Sequence, residues 1–210
     1  MKRLLGLLLV MGMVGCGDPV AELKRLGAEI EQNEQGEVIG VDNAFREFTD
    51  ADLVQLKGLS RLQMLDLTNT QITDAGLVHL KGLANLETLL IGATKITGAG
   101  LVHLKGLSEL AHLDLTDTRV SDAGLVHLKE MNNLQELYLN LTKVTGAGLV
   151  QLKELTSLET LNLSWTQVTD AGLVHLKGLA NLQSLGLPKQ ITDAGVAELQ
   201  KALPNCKIYK

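Results

Sequence analysis

The chain has 210 residues, 45% of them hydrophobic but only 2% aromatic, and a formal charge of -5. Its core must therefore be aliphatic, and an acidic balance without clustered lysine and arginine excludes the electrostatic footprint that nucleic acid requires. Without Lys2 and Arg3 the balance is 17 basic against 24 acidic residues, or -7, which also argues against adhesion of the bulk surface to anionic lipid.

Residues 1–16 differ from all that follows. Lys2 and Arg3 form a charged start, Leu4 to Val14 an apolar run, and Gly15-Cys16-Gly17 a small-residue end, the pattern of a secretory signal. The apolar run is too short for a permanent membrane span. Met13-Val14-Gly15-Cys16 resembles the bacterial lipobox, which implies acylation of Cys16 and attachment to a membrane on the extracytoplasmic side of the bacterial cell envelope. The one other cysteine, Cys206, then has no disulfide partner and reads as a buried apolar thiol.

Residues 17–47 read as an N-terminal cap. Val20, Leu23, Leu26 and Ile30 recur at steps of three and four, which predicts one amphipathic helix from Asp18 to about Asn33. Glu34-Gln35-Gly36 ends it, and Val38 to Val41 follows as a short strand. The register of Asn43 to Phe45 is open, because either side chain can turn inward.

From 48 to 210 the chain repeats itself with a 24-residue step. Thr70, Thr94, Thr118, Thr142 and Thr166 begin successive copies, and GLVHLK returns at 76, 100, 124 and 172, with GLVQLK at 148. A weaker leading copy starts at Phe48, and Ile191 lies 23 residues after Val168 rather than 24. A period of this size predicts a solenoid, whose units cannot bury their apolar faces alone. Within one copy, Leu65 and Leu67 mark a short strand. Thr73 is placed to cap a helix running to about Lys81, with Asp74 at its positive end, and Gly82 supplies the exit. Leu65, Leu67, Ile72, Leu77, Leu80, Leu83 and Leu86 are the core positions. Gly98 and Gly146 replace that aspartate in two copies, whose helices are expected to start more weakly. The segment from Ala194 to Tyr209, with Pro204, reads as a closing helix and strand.

The pattern Leu62-x-x-Leu65-x-Leu67-x-x-Thr70-x-Ile72-Thr73-Asp74-x-x-Leu77-x-x-Leu80 resembles a leucine-rich repeat of the type found beside F-box domains and in many bacterial envelope proteins. The resemblance implies an α/β fold, a right-handed leucine-rich repeat solenoid with parallel strands on the concave face and short helices on the convex face. It departs from the family at Thr70 and its equivalents, where asparagine or cysteine is usual. An F-box adaptor role has no support, since the stretch before Phe48 holds only the leader and the cap.

Catalytic signatures are missing: there is no nucleophile elbow, no HExxH, no phosphate loop and no paired-cysteine zinc spacing. Asp66 and Asp114 lie two strands apart, about 9.6 Å at about 4.8 Å per strand, but a flat strand face has no pocket to exclude water. His79, His103, His127 and His175 fall on parallel turns and do not converge on one ion. No metal, no cofactor and no small-molecule substrate is expected. The outward strand columns, by contrast, change freely while the packing positions hardly vary. They place Asp66, Leu90, His112, Asp114, Glu136, Tyr138, Asn140, Leu141, Asn162 and Trp165 on one surface. Large aromatic residues at such positions are common interface anchors. The reading is a lipid-anchored, non-catalytic scaffold that binds a protein partner by this face; the alternative is carbohydrate or cell-wall polymer binding by the same face.

Overall fold

The computed structural model describes residues 18–210, so the leader and Cys16 lie outside the described residues. One continuous sheet of nine strands runs through the molecule in chain order. The strands are β1 (Glu29–Gln32), β2 (Val38–Asp42), β3 (Met64–Asp66), β4 (Thr88–Leu90), β5 (His112–Asp114), β6 (Glu136–Tyr138), β7 (Thr160–Asn162), β8 (Ser184–Gly186) and β9 (Lys207–Tyr209). From β2 to β9 every pairing is parallel, and Leu65, Leu89, Leu113, Leu137, Leu161 and Leu185 stand in register across the sheet. Each three-residue strand from β3 to β8 buries its central leucine and leaves its two flanking side chains half-buried on the open face. The seven aliphatic positions of the repeat form the core, from 0 to 3% exposed in the copy that runs from Leu65 to Leu86. Below them the hydroxyls of Thr70, Thr94, Thr118, Thr142 and Thr166 are buried and donate to the carbonyls three residues earlier at 2.6–2.7 Å. Threonine thus binds the loop backbone with one donor, where an asparagine amide would offer two.

The N-terminal cap departs from its expectation. The helix α1 (Pro19–Arg25) ends eight residues short of Asn33, and β1 pairs antiparallel with β2. Gly27 is the cause. It takes φ +90, its N–H donates to Lys24 O, and Ala28 N donates to Leu23 O, which closes the helix with a paired C-terminal turn. The three- and four-residue spacing of Val20, Leu23, Leu26 and Ile30 spans that stop, so it imitated one helix. Asn43 is the residue that turns inward. It sits at the place of Leu67 one coil later, fully buried, with neither amide atom hydrogen-bonded among the described residues, while Phe45 is 75% exposed.

The helical side is also tighter than expected. Most coils carry a five-residue 3-10 turn, such as Gly76–Leu80, Gly100–Leu104 and Gly148–Leu152, instead of an α-helix reaching Lys81. Two geometric facts account for this. Leu77 and Leu80 are both fully buried, and three residues per turn brings i and i+3 to the same side. Gly76 N donates to the Thr73 backbone carbonyl at 3.1 Å, the bond of a 3-10 turn, so the Thr73 hydroxyl, which donates to Asp50 Oδ2 at 2.6 Å, accepts only from Ala75 N at 3.3 Å. A full helix forms in the last coil, α3 (Asp193–Ala202), where the Thr192 hydroxyl accepts from Gly195 N.

That aspartate–threonine bridge recurs between coils. Asp74 holds Thr97, Asp122 holds Thr145, and Asp170 holds Thr192, each by N–H and hydroxyl. Gly98 and Gly146 interrupt it. A Cβ at Gly98 would lie 2.6 Å from Gly124 Cα, so there backbone packs on backbone. The turns at 100–104 and 148–152 have the same five-residue extent as the one at 76–80. The consequence falls instead on the coils that follow Gly98 and Gly146, where the helical segments begin earlier, as α2 (Asp122–Leu125) and as Asp170–Leu176. Asn85, Asn133 and Asn181, again one coil in two, donate to the carbonyls of Ser60, Ser108 and Thr156 in the preceding coil. The true structural period is therefore 48 residues over much of the chain.

Candidate functional site

The strand face brings the sequence-selected residues into one surface, although several are already occupied. Asp66 Oδ1 accepts from Thr68 N at 2.8 Å, Asp114 Oδ1 from Thr116 N at 2.7 Å, and Asn162 Oδ1 from Ser164 N at 3.0 Å. These side chains bend the backbone out of the strand, as Asp42 does for Ala44 N. Thr116 donates to Asn140 Oδ1 at 2.9 Å. Leu90 is half-buried beside Asp66 and Asp114.

At the middle of the face, β5 and β6 juxtapose His112 with Glu136 and Asp114 with Tyr138. Tyr138 is half-buried and donates its hydroxyl to Glu136 Oε2 at 2.9 Å, while His112 Nδ1 lies 3.4 Å from the same oxygen. Burial, then the Glu136 hydrogen bond, then the Glu136 and Asp114 charges push the Tyr138 phenol up to about 12. It remains a protonated donor at neutral pH and has no role as a base.

The last two members of the set, Leu141 and Trp165, stand apart. They follow the strands β6 and β7, are 49% and 67% exposed, and both adopt φ +61. Every coil from Phe45 to Trp165 passes through this left-handed conformation at the same place: Phe45, Asn69, Ala93, Asp117, Leu141 and Trp165. The coil imposes it, because each N–H in the column from 45 to 141 donates to a carbonyl of the next coil, as Leu141 N does to Ser164 O at 3.0 Å. Asparagine and aspartate tolerate the conformation, whereas bulky side chains there carry about 1–3 kcal/mol of strain. Lys189 Nζ lies 5.3 Å from the centre of the Trp165 ring. Sequence reasoning placed Leu141 and Trp165 correctly on the outward surface but missed the strain and missed Lys189; Asn69 and Asp117 in the same column carried the signal for a positive φ.

The histidines 79, 103, 127 and 175 form a half-buried column on the helical side. Among the described residues no group of three or more histidine, cysteine or acidic side chains is arranged to hold a metal, and no helix is long and apolar enough to cross a membrane. Cys206 is buried at 4% exposure, and that burial raises its thiol pKa.

Comparison with known proteins agrees with the coil geometry. Residues 60–120 and 154–176 match family models described as leucine rich repeat. The crystal structure of internalin C2 from Listeria monocytogenes superposes with a TM-score of 0.67 at 26% identity, covering 91% of this chain and 80% of that one. The PEPR1–AtPEP1 structure is similar at the level of fold, with a TM-score of 0.59 at 16% identity over 86% of this chain and 25% of that one. No curated protein gives a significant match.

Proposed function

Because this chain is a leucine-rich repeat solenoid with one long uncovered sheet face, we propose that it is a non-catalytic scaffold that binds a protein partner there, held outside a bacterial membrane by lipid on Cys16. The observation that carries the reading is the pair Leu141 and Trp165: large apolar side chains, one about half and the other two-thirds exposed, in a backbone conformation that penalises them. Neither side chain belongs to the buried core, so core packing does not explain its place in a strained conformation. Tyr138, Leu90 and the polar groups of the face surround this anchor as its rim.

Protein fits the face better than carbohydrate does. Asp114, Asn140 and Asn162 each have one oxygen committed to the fold and the Tyr138 hydroxyl donates to Glu136, which reduces the polar groups left for sugar hydroxyls, while Leu141 and Trp165 offer apolar contact. The similarity to a Listeria internalin supports a bacterial setting, and the PEPR1–AtPEP1 pairing is an analogy of fold.

Photo-crosslinking in intact cells tests the reading. A photoreactive residue at 165 or at 90 is expected to capture the same protein, and one at Val102 on the helical side is not. Equal capture from position 102, or none from 165 and 90, contradicts it. The anchor is tested separately: Cys16→Ser is expected to leave the membrane fraction, and an unmodified Cys16 in the mass spectrum contradicts lipidation.

A further inference from the structure

Beside the left-handed column runs a second one, two residues further along each coil. It contains Lys95, Arg119 and Lys143, all exposed. Their backbones form their own ladder, in which Lys95 N donates to Ile72 O, Arg119 N to Ile96 O and Lys143 N to Val120 O at 2.9–3.2 Å, so the side chains rise from neighbouring coils at about 4.8 Å intervals. Among the described residues none of the three has a carboxylate within 4.0 Å. The next rung of the same ladder is the uncharged Gln167, Lys189 stands beyond it over the Trp165 ring, and one acid, Asp117, lies in the adjacent left-handed column. A protein with a net charge of -5 thus carries a ridge of free cations along the edge that also holds Leu141 and Trp165. The neighbouring open face is acidic at Asp66, Asp114 and Glu136, so the two surfaces select opposite charges.

We propose that this ridge binds an acidic, extended polypeptide segment, its carboxylates on Lys95, Arg119, Lys143 and Lys189 and an apolar side chain on Leu141 and Trp165. The proposal rests on the scaffold reading and names the chemistry of the partner. From Lys95 to Lys189 the ridge crosses about four coil steps, roughly 19 Å, which is the length of about six extended residues at about 3.3 Å each. Opposed charge favours an acid, and an exposed leucine in the adjacent column favours polypeptide over an acidic glycan.

The test uses the full-length chain in nonionic detergent and a fluorescein-labelled peptide of alternating glutamate and leucine, with a lysine–leucine peptide and polygalacturonate as comparisons. Fluorescence anisotropy is expected to show saturable binding of the acidic peptide alone, weakened several-fold by raising the salt from about 50 to 300 mM. Arg119→Glu/Lys143→Glu, confined to exposed side chains, is expected to weaken it at least tenfold and to gain binding of the lysine peptide. Trp165→Ala is expected to weaken it while leaving its salt dependence intact. Binding of polygalacturonate with no binding of the peptide, or peptide binding unchanged by the double charge reversal, overturns the proposal. If the peptide fails while position 165 still crosslinks a protein in cells, only the acidic chemistry is lost; if crosslinking fails as well, the scaffold reading falls with it.

Discussion

At residues 73, 97 and 145 a threonine is held by the aspartate of the coil before it, whereas at 141 and 165 leucine and tryptophan hold a backbone conformation that asparagine adopts more cheaply. The first region joins coil to coil with short polar side chains and with glycines packed on glycines. The second exposes large apolar groups at a place where they weaken the fold. The comparison separates the edge that maintains the solenoid from the edge that is available for recognition. It does so from geometry, where composition and fold alone do not distinguish them.

The comparison can be broken at several levels. Leu115, fully buried in the central coil, supports both edges; Leu115→Asp is expected to cost more than about 4 kcal/mol and to abolish the folded far-UV circular dichroism signal. On the joining edge, Gly98→Ala forces a methyl against the Gly124 backbone and is expected to cost about 2–3 kcal/mol in urea unfolding. Gly178→Ala, with nothing within 4 Å of the added methyl, is its control and is expected to be near neutral. Asp122→Ala removes both bonds to Thr145 and is expected to cost about 2 kcal/mol, with faster amide exchange at Thr145. In the opposite direction, Asn43→Leu restores the repeat's own residue where an amide is buried without partners, and is expected to stabilise by about 1–2 kcal/mol.

Much of the solenoid was legible because one period carried it. The leucines, the strand columns and the closing helix follow from the 24-residue step, and identical positions in successive copies confirm one another. What the step concealed was anything acting between copies. Gly98 and Gly146, read within their own coils, predict weak helix starts; in the structure Asp74 acts 23 residues away on Thr97, and the glycines change the coil after them. The N-terminal helix was overextended for a related reason, since apolar spacing outweighed the stop at Gly27. For the candidate site, the outward placement of Leu141 and Trp165 was legible, whereas their strain was signalled only by Asn69 and Asp117 in the same column, since leucine and tryptophan do not themselves mark a positive φ. The cations at 95, 119 and 143 stand one 24-residue step apart, and the second backbone ladder shows that their coils are joined at that place.

The central claim is that Leu141 and Trp165 remain where they are for contact and not for stability. The most direct test is the thermal unfolding midpoint of Leu141→Asn/Trp165→Asn. Relief of strain is expected to outweigh the lost lysine–aromatic contact, worth about 0.5–1 kcal/mol when exposed, and to leave a net gain of about 1 kcal/mol. For a chain of this size that raises the midpoint by roughly 2–4 °C. A fall of the same size would show that the two side chains hold the solenoid together, and the ridge would lose its standing as a recognition surface.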